Sequence, residues 1–209
     1  DLKIISNNQY DEYDFKTSLI YIENSVLNYL NIEYADIRVI NSKIMNNAYI
    51  SYSNMSIDSS YFYSDGVSSF FTIGDSNINA IHTIFETPIN GNRVNLNITY
   101  SAILDGIRGS GVRGDTVYAP YNWWGINSGL SIMYINNKSI ETWAVLLFYI
   151  EDGNNSVGTN SKFISEFKWS DGENISDLNV GEYLPSRPIK FESQSGSFLK
   201  VNSNIVNSF

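Results

Sequence analysis

Along the first 125 residues one short alternation of apolar and polar positions keeps returning. Its form is apolar, any, apolar, any, then a polar or aromatic anchor, a small polar residue, any residue and an apolar one. It runs from Ile20 to Leu27, Ile37 to Ile44, Met55 to Phe62, Ile78 to Phe85, Leu96 to Ile103 and Val117 to Trp124, with a weaker copy from Leu2 to Asn7. The anchors are Ser6, Asn24, Asn41, Ser59, His82, Tyr100 and Tyr121, so the steps are 18, 17, 18, 23, 18 and 21 residues. Period-2 alternation marks a strand rather than a helix. A step of this length holds about three short strands with bends, and is too short for a strand plus a crossover helix. One coil of a parallel β-solenoid fits.

Stacking such coils places equivalent residues above one another, about 4.8 Å apart. Leu2, Ile20, Ile37, Met55, Ile78, Leu96 and Val117 form one predicted interior column, and Ile4, Ile22, Val39, Ile57, Ala80, Ile98 and Ala119 a second. Leu27, Ile44, Phe62, Phe85, Ile103 and Trp124 form a third, after the bend. The anchors themselves are predicted to sit at the bend, where Asn tolerates left-handed backbone; His82, in the same column, reads as a bend residue. The longer steps predict loops over Asp65–Gly74 and Asp105–Asp115. The chain is thus expected to be all-β, a right-handed single-stranded parallel β-helix of about seven coils.

Tyr121-Asn122-Trp123-Trp124-Gly125, which closes the last copy, resembles a junction found in adhesin-like cell-surface proteins of methanogenic archaea. There an Asn-Trp-Trp-Gly tetrapeptide ends a pectate-lyase-like β-helix and precedes immunoglobulin-like modules of the invasin type. The resemblance implies a β-helix over 1–136 and a small, truncated immunoglobulin-like β-sandwich over 137–209. It also implies a cell-surface setting and adhesion to glycans or to surface proteins of partner cells. Read alone, the second segment is also β: Phe163, Phe167 and Trp169 alternate with Glu166 and Lys168, and Ser170-Asp171-Gly172 is a turn signal.

Composition narrows the chemistry. There is no cysteine and one histidine, which removes thiolate sites and leaves almost no material for zinc or Ser-His mechanisms. The net charge of -9 opposes nucleic acids and acidic membranes, and would oppose acidic glycans unless a cation such as calcium bridged them. No apolar run is long enough to span a membrane. The chain opens at Asp1 without an export signal of its own and reads as a monomeric piece of a longer extracellular chain.

A β-helix can also carry a lyase or hydrolase, so paired carboxylates matter. Glu23 and Asp58 face outward two coils apart, about 9.6 Å, a spacing compatible only with inverting hydrolysis. That separation and the thin supply of other groups favour a non-catalytic chain, with an enzyme as the alternative and a bare structural stalk as the third reading. For binding, Tyr21, Arg38 and Tyr118 are predicted on one outward column, where flat aromatic faces suit sugar rings. Asp105, Arg108, Arg113 and Asp115 crowd a Gly-rich loop that could take an ion or a glycan; Arg113-Gly114-Asp115 also spells an integrin-type tripeptide. Asn-x-Ser/Thr acceptors stand at Asn54, Asn97, Asn137, Asn154 and Asn174.

Overall fold

The computed structural model describes residues 2–5, 18–64, 70–109, 115–125, 132–133, 137–150, 163–179, 184–185, 187–188 and 204–205. After β1 (Leu2–Ile5) the first coil is β2 (Ser18–Glu23), β3 (Val26–Leu27) and β4 (Leu30–Glu33). The second is β5 (Ala35–Ile40), β6 (Lys43–Met45) and β7 (Ala48–Ser51), and the third β8 (Asn54–Asp58), β9 (Tyr61–Tyr63) and β10 (Phe71–Gly74). β11 (Asn77–Ile81), β12 (Ile84–Phe85) and β13 (Ile89–Asn92) make the fourth. β14 (Asn95–Thr99), β15 (Ala102–Ile103) and β16 (Ile107–Gly109) make the fifth, and β17 (Thr116–Tyr118), β18 (Asn122–Trp123) and β19 (Ile132–Met133) the sixth. Then come β20 (Asn137–Ser139), β21 (Trp143–Ile150), β22 (Phe163–Ser170), β23 (Ile175–Ser176), β24 (Arg187–Pro188) and β25 (Asn204–Ile205).

The first strands of the coils stack into one sheet, the second into another and the third into a third, all parallel from coil to coil. The molecule is therefore an all-β parallel solenoid of about six turns, and among the described residues there is no helix to cross a membrane. The three predicted interior columns hold: Ile20, Ile37, Met55, Ile78, Leu96 and Val117 are in register. So are Leu27, Ile44, Phe62, Phe85 and Ile103. Two further columns come from the third sheet: Leu30, Ala48, Phe71, Ile89 and Ile107, and then Ile32, Ile50 and Ile73. Gly91 follows Ile73 in the latter, and a Cβ there would lie 2.6 Å from a methyl of Val94, which fills that place.

Two expectations are corrected. The Leu2 copy is not a seventh coil, because β1 runs antiparallel to β2, pairing Leu2 with Ile22 and Ile4 with Ile20. The two residues thus exchange the columns assigned to them. The predicted loops are also shorter than expected, since each holds a strand: Phe71 and Ile73 of β10 and Ile107 of β16 are buried core residues.

The bends explain the anchor column. Asn24, Asn41, Ser59, His82, Tyr100 and Tyr121 all have left-handed backbone, with φ between 45° and 58°. The small polar residue after each anchor turns inward and builds a ladder along the rod. The N–H groups of Ser25, Ser42, Ser60, Thr83 and Ser101 donate to the side-chain oxygens of Ser42, Ser60, Thr83, Ser101 and Asn122 in the next coil. Each hydroxyl from Ser25 to Ser101 donates in turn to the carbonyl two residues earlier. Buried backbone groups at a sharp bend, which a strand ladder cannot reach, are satisfied in this way. A shorter ladder serves the opposite corner: Ala35 N–H donates to Ser53 Oγ, Ser53 N–H to Ser76 Oγ, and Val94 N–H to Asp115 Oδ1.

The Asn-Trp-Trp-Gly sequence ends the first ladder. Asn122 is fully buried; its Oδ1 accepts from Ser101 N–H and its Nδ2 donates to the carbonyls of Ile98 and Ala119. Trp123 lies outside, edge-on to Phe167, while Trp124 enters the core. Gly125 takes φ +79°, which a side chain would resist. Beyond it, β20 pairs parallel with β17, and β21 with β18, so two of the solenoid's sheets continue past residue 136. β21, β22 and β23 then form an antiparallel extension, whose Phe167 and Trp169 cluster with Tyr100, Tyr121 and Trp123. The predicted turn links β22 to β23: Asp171 accepts from the backbone N–H and side chain of Asn174 and from Glu173 N–H, which holds its pKa down at about 2. About half of 137–209, where a sandwich is expected, lies outside the described residues, and the described half forms β20, this extension and the β24–β25 pair.

Candidate functional site

The outer face of the first sheet carries Tyr21, Arg38, Ser56, Asn79, Asn97 and Tyr118 in one column, as the repeat predicts. Tyr21 and Arg38 are neighbours there. Tyr118 is four strands beyond Arg38, about 19 Å at the usual spacing, so the three side chains do not converge. Between them the face is amide-rich: Asn97 Nδ2 donates to Asn79 Oδ1. Two residues earlier on each strand, on the same face, Asn95, Asn77 and Asn54 each donate to the residue in the coil before, ending on Asp36. Two of the glycosylation acceptors, Asn54 and Asn97, thus have their amides engaged within strands, whereas Asn174 lies in an exposed turn.

The Asp105–Asp115 group is dispersed. Asp105 is exposed, and Arg108 is half-buried on β16 beside Asn90. Asp115 is not a solvated loop charge: it is 3% exposed, and its Oδ1 takes the corner-ladder role that serine plays at 53 and 76. Arg113 lies outside the described residues. Among the described residues no group of three His, Asp or Glu side chains stands close enough together to hold a metal ion. Glu23 and Asp58 keep the two-coil separation predicted for them, with Ile40 between.

Asp58 accepts from Ser59 Oγ and lies 3.6 Å from Nδ1 of His82. Burial pushes the His82 pKa below its ordinary 6.5, outweighing the opposing charge and hydrogen bond of Asp58. A histidine that resists protonation in the folded state costs stability when the unfolded chain can protonate, below about pH 6.5. The thermal midpoint should therefore fall between pH 7.5 and 5.5, and His82→Asn, which suits left-handed backbone, should flatten part of that fall. An unchanged pH slope in the variant would refute the assignment.

A face that the repeat did not reveal lies on the third sheet. There Asn31, Tyr49, Thr72, Asn90 and Arg108 form one outward column and Glu33, Ser51, Gly74 and Asn92 another. Tyr29, Asn31, Glu33, Asn47, Tyr49 and Ser51 on the first two coils line an open groove of about 630 Å³, which Thr72, Gly74 and Asn92 continue. The Tyr29 and Tyr49 rings are exposed, with centroids 5.9 Å apart. Asn47 Oδ1 accepts from Phe70 N–H, and the hydroxyls of Ser53 and Ser76 hold the carbonyls of Ser51 and Gly74, so the floor is fixed from below. Flat rings beside amide, hydroxyl and carboxylate groups on a rigid sheet can hold a polyhydroxylated ring by stacking and hydrogen bonding.

Comparison of the chain with protein-family models, with curated proteins and with solved structures yields no match.

Proposed function

We propose that this chain is a non-catalytic adhesive segment of an extracellular cell-surface protein, whose rigid solenoid presents a binding face to glycans or to the surface of partner cells. The observation that carries the reading is the groove across β4, β7, β10 and β13, where two exposed tyrosines stand beside Asn31, Glu33, Asn47, Ser51, Thr72 and Asn92. Continuous parallel sheets hold these groups in place, which limits the ordering cost of binding. The Asn-Trp-Trp-Gly junction supports kinship with the adhesin-like proteins of methanogenic archaea. In this reading the strands after β21 begin a second, immunoglobulin-like module that continues towards the cell anchor.

The test is a screen of the protein against polysaccharides and whole microbial cells, with calcium and with chelator, scoring retention and released sugar in the same wells. Retention without shortened or unsaturated product is expected. Tyr29→Ala and Tyr49→Ala together should weaken it about tenfold or more, the worth of roughly 1.4 kcal/mol, while Tyr118→Ala should leave it unchanged. Product release would overturn the non-catalytic reading and direct attention to Glu23, Asp58 and Glu33. Failure to retain any sugar or cell would favour a stalk.

A further inference from the structure

Building on that reading of the groove, we propose that its ligand is an extended neutral glycan, at least three rings long, lying along β4 and β7 between two tyrosine pairs. The first pair, Tyr29 and Tyr49, stands at the entrance to the two strands. The second, Tyr34 and Tyr52, follows their last residues at the corner, next in sequence to the lining residues Glu33 and Ser51 but not itself part of the lining, and is stacked with centroids 4.9 Å apart and planes within 5° of parallel. All four rings are substantially exposed. Tyr49 and Tyr52 are three residues apart, about 10 Å along a strand, and Tyr29 and Tyr34 five apart, about 17 Å. Asn31, Glu33 and Ser51 face outward in the interval. A single sugar ring cannot touch both pairs; a short chain can.

The corner does not itself demand tyrosine. Tyr34 and Tyr52 have left-handed backbone, φ 54° and 50°, an unfavourable conformation for a bulky residue. The same position in the next two coils is Asp75 and Arg93, also left-handed and joined by an ion pair at 2.6 Å. The backbone there accepts quite different side chains, so an exposed aromatic stack confined to the two coils that carry Tyr29 and Tyr49 points to a ligand. Gly74 gives the same indication. A Cβ there would meet only Ser51 Cβ, at 3.9 Å, and the backbone is ordinary, so packing does not require glycine. Its absent side chain keeps the floor flat beside Ser51.

Charge selects the class. The groove's lining residues include the carboxylate of Glu33 and no Lys or Arg, on a chain of net charge -9. A uronate or sulfate laid there would meet like charge, and the cation at the corner, Arg93, is already paired with Asp75, whereas a neutral ring offers hydroxyls that donate to Glu33.

The experiment is calorimetric titration with β-1,4-linked glucose, mannose and N-acetylglucosamine oligomers of one to six rings, and with oligogalacturonate of matched length. For at least one neutral series, affinity should rise with length and level off beyond three or four rings. Oligogalacturonate should bind at least tenfold more weakly. Tyr34→Ala with Tyr52→Ala should lower affinity about tenfold for oligomers of three rings or more, and Gly74→Ile, which fills the floor, should abolish binding. Thermal midpoints of the variants confirm folding. Length-independent affinity, preference for the acidic oligomer, or indifference to Tyr34, Tyr52 and Gly74 would overturn the proposal. Retention of whole cells with every oligomer silent would overturn it while leaving the adhesive reading in place; silence of cells and sugars alike would sink both.

Discussion

Replacing Phe85 by alanine should lower the unfolding free energy by about 3–5 kcal/mol, the usual cost of deleting a buried phenyl ring. Phe85 is fully buried, and its ring stacks against Phe62 at 5.2 Å and Phe71 at 5.9 Å, which are themselves 4.8 Å apart. The trio joins strands of the second and third sheets, β9, β12 and β10, across the interior. The hole cannot close easily, because coil spacing is fixed by hydrogen bonds above and below. In a solenoid each coil touches only its neighbours, so the weakness should also be local. Urea unfolding should shift to lower concentration, and hydrogen exchange should accelerate first in coils three to five. Phe85→Leu, which retains most of the volume, should recover more than half of the loss. A shift under 1 kcal/mol, or exchange rising evenly along the rod, would refute this account.

Asn122→Ala should be nearly as costly, about 3–5 kcal/mol, for a different reason. No large apolar volume is lost. Instead the Ser101 N–H and the carbonyls of Ile98 and Ala119 lose a fully buried partner. Each such group left unsatisfied costs about 1–3 kcal/mol, reduced where water can enter. Asn122→Ser is the informative control: every earlier rung is Ser or Thr, so a hydroxyl can again receive the Ser101 N–H. It should recover part of the stability but not all, because one hydroxyl proton cannot serve two carbonyls. If alanine and serine behave alike in thermal unfolding, the rung is not what Asn122 supplies. The same logic explains why an asparagine, rather than another serine, stands at the last of these bends.

What could be read in advance was set by local patterning. The first two sheets follow directly from it, because alternation and a polar anchor lie within eight consecutive residues, and the left-handed bends at Asn24 and Asn41 follow from what asparagine tolerates. Strand direction does not. Leu2 and Ile4 alternate identically whichever way the strand runs, so the antiparallel pairing of β1 leaves no trace in the pattern. The third sheet was hidden because its strands come at irregular distances from the anchors. Phe71 and Ile107 stand among Gly, Ser and Asp residues that signal loops, yet register with Ala48 and Ile89 draws them inside. With that sheet unread, the groove was unreadable too: Tyr29, Glu33 and Thr72 are neighbours only through its pairing. Asp115 misled in the opposite sense. Its glycine-rich setting suggests a solvated charge, but the corner needs only an acceptor, and a carboxylate oxygen serves as well as a hydroxyl.

The coil step has a geometric consequence. Each turn consumes 17 to 23 residues and advances the rod by about 4.8 Å, roughly a quarter of an ångström per residue. An α-helix advances about 1.5 Å per residue and an extended strand more than 3 Å. For bridging distance this is among the least economical ways to use a polypeptide. What the chain gains instead is breadth: straight walls on which each side chain recurs at a fixed interval beside its counterpart. An architecture that gives up reach for an ordered wall is suited to presenting a surface, and poorly suited to serving only as a tether.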